Sequence, residues 1–310
     1  MVSFITYILF RFFVALFYIL PFRVIYLISD FLAFVLYKII GYRKQVIIQN
    51  LKSSFPDLDN KKIKKLLFPI YRNISDLMVE TIKGFSMTKK QVQKHIFTTN
   101  IEVMNQHYIN HKGIIGALGH YGNWEWAALL AGIKLKQETI ALYKPLSNKY
   151  LNKYIRKNRA RFGIHLFPIQ NTYKSFETNK HKKILFALVA DQSPSNINKA
   201  IWTTFLNQPT ACLHGLEKYA HLFNMPIVYI QIIRIKRGYY SITFKTLFEN
   251  PKNELPGHIT KIYMKTLEQD IIKKPEQWLW SHKRWKHKKV INNLVISNQS
   301  FINFLIILKV

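Results

Sequence analysis

Residues 112–132 read KGIIGALGHYGNWEWAALLAG. The run 114–118 is short, apolar and bounded by glycines, which suits a buried strand, and 124–130 reads as the opening turns of a helix. A sharp turn must join them. On one uninterrupted helix, residues five apart point about 140° away from each other, so His120 and Glu125 would not share a face. Gly119 and Gly122 permit backbone angles closed to other residues. The strand can therefore end at His120 and the helix begin near Asn123, a good N-cap residue. Glu125 then falls in the first helical turn, where the helix dipole favours a carboxylate and its oxygens can receive the N–H of an imidazole lying across the turn. A histidine so held keeps one tautomer and gains basicity. Such a base can take a proton from a substrate hydroxyl, the logic of acyl transfer with a nucleophile supplied by the substrate. The competing reading is a buried turn histidine beside a surface acid.

Two further stretches stand in order behind GHYGNWE (119–125): LVADQSP (188–194) and PEQWLWSHKRWK (275–286). Together the three resemble the late acyltransferases of lipid A biosynthesis, the lauroyl and myristoyl transferases, over about residues 4–288. The resemblance implies transfer of a fatty acyl group from an acyl carrier protein thioester to a hydroxyl of a lipid A precursor. It places the enzyme on the inner (cytoplasmic) membrane with its catalytic domain on the cytoplasmic face, with no covalent enzyme intermediate and no cofactor. An acyltransferase of phospholipid or aminolipid synthesis would use the same base. The reading from another class is a basic membrane- or nucleic-acid-binding protein without catalysis.

Composition agrees with either class. At 310 residues, 49% of them hydrophobic, the chain can bury one substantial core. The formal charge of +30 implies an anionic partner, whether phospholipid leaflet, acidic carrier protein, lipid phosphate or nucleic acid. Lysine is spread along the chain rather than concentrated in one tail, so general lysine-rich usage on solvated faces is the alternative source of part of it. No zinc spacing, recognition-helix module or RNA-binding aromatic signature is present, which argues against nucleic acid. His214 and His221 are seven apart and His282 and His287 five apart, so neither pair has the spacing of a helical zinc site, and no metal is expected. The lone Cys212 permits no intrachain disulfide and points to a reducing, cytoplasmic setting.

Residues 1–42 are apolar and aromatic, with Arg11, Arg23, Asp30 and Lys38 as their charges. Pro21 divides them into two helical pieces. In the second piece the three charges fall within about 80° at helical spacing, giving one narrow polar face that suits a helix in the membrane interface or packed beside the catalytic domain. The first piece, 4–20, would cross a bilayer only with Arg11 snorkelling. Arg11 and the lack of a small-residue cleavage site disfavour a signal peptide. A buried hairpin of a soluble core is the remaining alternative.

Further along the chain, apolar residues at helical spacing predict a core-facing helix over 60–83, with Pro69 as a place for a kink, and a shorter one at 89–96. Strands at 139–143, 164–169 and 184–190 alternate with a helix at 147–162 and a short one after it. Residues 227–235 and 239–247 form a hairpin, and a helix follows near 257–274. The expected fold is α/β: a single catalytic domain with a largely parallel sheet covered by helices, plus the N-terminal apolar helical membrane element. In domain terms these are membrane-associating helices 1–42, a catalytic domain 43–289, and a tail 290–310 with no assigned role, whose apolar end is too short to span a membrane.

His120 and Glu125 are the expected catalytic pair. The helix at 147–162 carries Lys149, Lys153, Arg156, Lys157, Arg159 and Arg161 with no acid. By the resemblance, Arg159 or Arg161, just before Gly163, binds a phosphate of the acceptor or carrier arm or steadies the developing oxyanion. A solvated basic face is the plainer alternative. Asp191 and Gln192 follow a buried strand, where an open α/β sheet places functional side chains, and the resemblance puts them in the site. Asp191 could hold an arginine or cap turn amides. Phe205 is followed by Leu206 and Asn207 where the family tends to have glycine, a departure affecting loop shape. Trp278, Trp280, His282, Arg284 and Trp285 suit either a membrane interface with an anionic headgroup or a mixture of core and surface.

Overall fold

The computed structural model describes residues 2–110 and 113–289; the tail 290–310 lies outside the described residues. Two apolar helices come first, α1 (Val2–Ile19) and α2 (Phe22–Phe34), broken at Pro21, with a π-helical turn Val35–Ile39 extending the second. Next come α3 (Lys44–Ser54), α4 (Asn60–Gly84) and α5 (Lys89–His95). Helix α4 runs through Pro69 as one element, and α5 opens on a Thr88–Gln91 capping box. The remainder alternates: β1 (Ile96–Thr98), α6 (Glu102–Asn110), β2 (Gly113–Leu118), α7 (Trp124–Lys134), β3 (Glu138–Tyr143), α8 (Lys149–Ala160), β4 (Ile164–Pro168), α9 (Thr172–Asn179) and β5 (Ile184–Val189). Then follow β6 (Ile201–Phe205), β7 (Gln208–Cys212), α10 (Gly215–Phe223), β8 (Ile227–Lys236), β9 (Tyr239–Phe248) and α11 (His258–Lys273).

Seven strands form the main sheet in the order β1-β9-β8-β2-β5-β3-β4. The contiguous set β8, β2, β5, β3 and β4 is parallel throughout. The predicted hairpin supplies the exception, with β9 antiparallel to β8. This is the expected α/β fold. Strand β2 is buried at all six positions, because helices cover both faces. Ile115 and Ala117 face one core with Tyr263, Met264 and Leu267 of α11; Ile114 and Leu118 face the other with Trp126, Leu129 and Leu130 of α7.

The N-terminal helices divide in their attachment. Most of α1 is bare, with Phe4, Ile8, Phe12 and Leu16 exposed. It has the length and composition to cross a membrane, being roughly 27 Å long at 1.5 Å per residue against a hydrocarbon core of about 30 Å. Arg11 turns to α8, donating to the Tyr7 hydroxyl at 2.9 Å and lying over the Tyr154 ring. Helix α2 packs on α4, burying Ile25, Ser29 and Ala33. Of the two settings open to its polar face, the structure shows the protein contact: Asp30 takes a two-pronged bond from Arg237, both contacts 2.8 Å, and another from Arg72 at 2.8 Å. Lys83 of α4 donates to the carbonyls of Phe17, Tyr18 and Leu20 at 2.7, 3.1 and 3.0 Å, closing the end of α1.

These contacts separate anchoring from folding. Deleting residues 1–16 should weaken membrane sedimentation and leave the cooperative unfolding transition in place. Deleting 1–42 also uncovers the partners of Ile25 and Leu36, each worth about 1.5–3 kcal/mol when buried, a large part of the ~5–15 kcal/mol that holds a domain together. Thermal unfolding in detergent distinguishes them; equal transitions in both truncations would show that α2 contributes little to the fold.

Candidate active site

Strand β2 ends at Leu118, whose carbonyl accepts the Tyr263 hydroxyl at 2.7 Å and the Ala190 N–H at 3.1 Å. The chain then turns through residues 119–123. Gly122 takes φ +63°, and a Cβ there would lie 2.6 Å from the Ile232 carbonyl oxygen. Gly119 serves a different need: a Cβ on it would lie 2.8 Å from both methyls of Leu267 on α11. Asn123 caps α7 as expected, its Oδ1 accepting the Trp126 N–H at 2.9 Å.

The imidazole of His120 finds a carboxylate, and it is Asp191 rather than Glu125. Strands β2 and β5 pair with Leu118 opposite Val189, so two residues further along His120 stands beside Asp191. His120 Nδ1 lies 2.6 Å from Asp191 Oδ1, and the His120 backbone N–H donates to Oδ2 at 2.9 Å. The Trp278 indole N–H adds a third bond, to Oδ2 at 2.8 Å. With Nδ1–H donating to Asp191, Nε2 carries the lone pair, and the Gln192 amide nitrogen lies 3.2 Å from it. The Trp124 ring meets the imidazole edge-on at 4.8 Å.

Glu125 turns instead to α8. Arg159 Nε donates to its Oε2 at 2.9 Å and Nη2 to its Oε1. Arg161 is spent on backbone carbonyls, those of Asn158 and Met87 at 2.9 and 3.1 Å and that of Gly84, so it straps the end of α4. Lys149, Lys153 and Lys157 of α8 are exposed. His120, Trp124, Glu125, Arg159, Arg161 and Gln192 all border one cavity of about 470 Å³ whose other walls are mainly apolar, among them Leu129, Leu130, Ala141, Leu166, Leu185 and Ala187. It extends along α7 and over the inner strands, within the ~300–1,000 Å³ usual for ligand sites.

Residues 1–287 match the sequence profile described as bacterial lipid A biosynthesis acyltransferase. The chain belongs to that family. It is an acyltransferase. Two relatives, lipid A biosynthesis palmitoleoyltransferase of Escherichia coli (strain K12) and lipid A biosynthesis acyltransferase of Shigella flexneri, are each 24% identical over 260 residues, covering 80% of this chain and 80% of theirs.

In this acyltransferase the third stretch, 275–286, sends its central aromatic side chains inward and leaves Lys283 and Lys286 exposed. Trp278, Trp280 and Arg284 are at most 2% exposed, so the mixture of core and surface is the arrangement found. Gln277 O accepts the Gly122 N–H at 3.2 Å, and neutral His282 accepts the Ser193 N–H at 3.1 Å. Burial, with the charges of Arg284 and Lys286, pushes His282 down to about 4 despite Asp191 nearby. The segment thus clasps both turns of the site. Leu206 and Asn207, where the family's glycine is missing, both take positive φ (48° and 62°) and turn β6 into β7. Asp191 is fully buried, which alone would raise its pKa; the charge of His120 and the N–H donors outweigh this and hold it at about 2. Burial would lower His120, but Asp191, with Glu125 at longer range, raises it above the ordinary 6.5.

Trp278→Phe keeps an aromatic side chain, but a smaller one, and withdraws the indole donor from the Asp191 carboxylate. A bond to a charged group is worth ~1.5–3 kcal/mol and the space left by the smaller ring adds to that cost, so denaturant unfolding should show a loss of at least that order. A change under about 0.5 kcal/mol, the scatter of neutral surface changes, would mean that the indole does not support the carboxylate.

Proposed function

We propose that the protein transfers a fatty acyl chain from an acyl carrier protein thioester to a hydroxyl of a lipid A precursor, with His120 as general base and Asp191 as the residue that orients it. The observation that carries this reading is an imidazole held at Nδ1 by the buried Asp191 carboxylate, with its Nε2 side at the edge of a largely apolar cavity, in a chain of this family. The acceptor hydroxyl takes the place of the Gln192 amide beside Nε2. Its proton passes to Nε2 as its oxygen forms a bond to the thioester carbonyl carbon. The carbon–sulfur bond then breaks, and the thiol leaves with the proton returned by His120. No enzyme-bound acyl intermediate is required, and no cofactor enters the step.

Arg159, oriented by Glu125, supplies positive charge beside the cavity where the tetrahedral oxyanion develops. Arg161 acts on the shape of the cavity rather than on the substrate. The acyl chain occupies the apolar part of the cavity, where each buried methylene contributes about 0.8 kcal/mol. The basic face of α8 and the bare side of α1 suit an acidic carrier and an anionic leaflet, with the catalytic domain on the cytoplasmic face of the inner membrane. The deciding experiment compares lipid A from cells with and without the gene by mass spectrometry. One acyl chain should be lost with the gene and restored by it; an unchanged lipid A and an altered phospholipid or aminolipid would reassign the acceptor.

A further inference from the structure

Glu80 lies near the end of α4, fully buried, and takes no part in the chemistry above. Three donors from separate parts of the fold converge on its carboxylate. The Tyr26 hydroxyl of α2 reaches Oε1 at 2.8 Å, while the Tyr240 hydroxyl of β9 and the Asn123 amide both reach Oε2 at 2.7 Å. Its backbone carbonyl accepts the Trp126 indole N–H at 2.9 Å. A buried carboxyl is costly unless its lone pairs are used; here donors use them, although burial still outweighs them and holds its pKa above the usual carboxylate range.

Asn123 gives this cluster its meaning. A side-chain amide has an acceptor oxygen and a donor nitrogen, and its network decides which way each points. The donor end is bound to Glu80, so the oxygen is turned to the Trp126 N–H and caps α7. Asn123 is separated from His120 only by Tyr121 and Gly122. We propose that Glu80 is a positioning residue for the catalytic turn: by fixing the Asn123 amide it sets the angle between β2 and α7, and hence the place of the His120 ring. Tyr26 makes that setting depend on the seating of α2. The inference rests on the reading of His120 as the base.

Asn123→Asp retains the capping oxygen, since aspartate caps as well as asparagine, but sets a carboxylate against that of Glu80. Turnover should fall by about 10- to 100-fold, the range expected when a reacting group is misplaced by about an ångström, with KM for the acyl carrier thioester changed less than about twofold. Glu80→Gln should lose turnover in the same sense. In the double variant the amide introduced at position 80 can donate to the carboxylate introduced at position 123, restoring the pair in reverse, so kcat should recover about tenfold over Asn123→Asp. Tyr26→Phe should give a smaller fall in kcat at unchanged KM.

Multiplied losses in the double variant, or a loss carried by KM alone, would overturn the proposal. If Asn123→Asp fails to fold by near-ultraviolet circular dichroism, Glu80→Gln and Tyr26→Phe carry the test, and wild-type kcat in both overturns it. Inactive His120→Ala together with wild-type turnover in the Asn123 and Glu80 variants refutes this inference alone. Active His120→Ala refutes the base, and this inference with it.

Discussion

Replacing His120 by alanine is expected to lower acyl transfer by ~10²–10⁴-fold, the usual worth of a positioned general base, with little change in fold, since its side chain is 19% exposed at a cavity edge. Asp191→Asn should cost nearly as much. Adding it to His120→Ala should cost little more, because groups that act as one unit lose their effects together. Glu125→Gln should be the mildest of the three, because Glu125 meets Arg159 and not the imidazole. The order of Asp191→Asn and Glu125→Gln distinguishes the geometry from the local expectation in the sequence. Fully multiplicative losses would remove the paired base, and activity lost to chelator and restored by zinc would reassign His120 to a metal.

The same pair fixes a pH dependence. A base acts only when neutral, and Asp191 holds His120 above its ordinary 6.5. The acid limb of kcat/KM should therefore rise above that value in the wild type and move to lower pH in Asp191→Asn. Stability runs the other way. The contribution of His120 is fully present below 6.5 and is lost as pH rises through the raised value, whereas that of Asp191 is present above its ordinary 3.8 and is lost as pH falls towards about 2. An acid limb unmoved by Asp191→Asn would separate the carboxylate from the base.

Filling the cavity should change which donor is used. Ala187 sits mid-strand on β5, between Leu185 and Val189, and all three line the cavity. Phenylalanine there would exclude the far end of a long chain. At about 0.8 kcal/mol per methylene, each carbon denied burial costs roughly fourfold in kcat/KM, so losing three or four methylenes costs ~10²-fold. Short-chain donors, which stop before residue 187, should keep most of their kcat/KM. Competition between two acyl carrier thioesters of unequal length measures the ratio directly, and an unchanged ratio would show that the chain lies elsewhere.

The local architecture is legible in the sequence wherever a periodic signal coincides with a start or stop residue. The glycine-bounded run before His120, the Asn123 cap, the alternation of strand and helix and the hairpin at Arg237–Gly238 all have that form. Elements lacking such signals are hidden. Strand β1 has three residues, α3 and α6 give weak apolar patterns, and the β6–β7 turn uses Leu206 and Asn207 at positive φ, where glycine is the usual sign. The aromatic run 275–286 reads the same for an interface as for a core, and only its burial distinguishes them.

In the site, local residue patterns were enough to put His120 on a sharp turn before a helix and Asp191 at the end of a buried strand. They were not enough to show that the two meet. Chain proximity favoured Glu125, five residues away, but side-chain partners are chosen by distance in space, and that follows from which strands are neighbours. Only the pairing of β2 with β5, in the register that sets Leu118 against Val189, brings Asp191 under the imidazole, while the Arg159 side chain, reaching across from α8, takes Glu125. Register depends on the burial of the whole sheet between its two layers of helices, a property of no single segment.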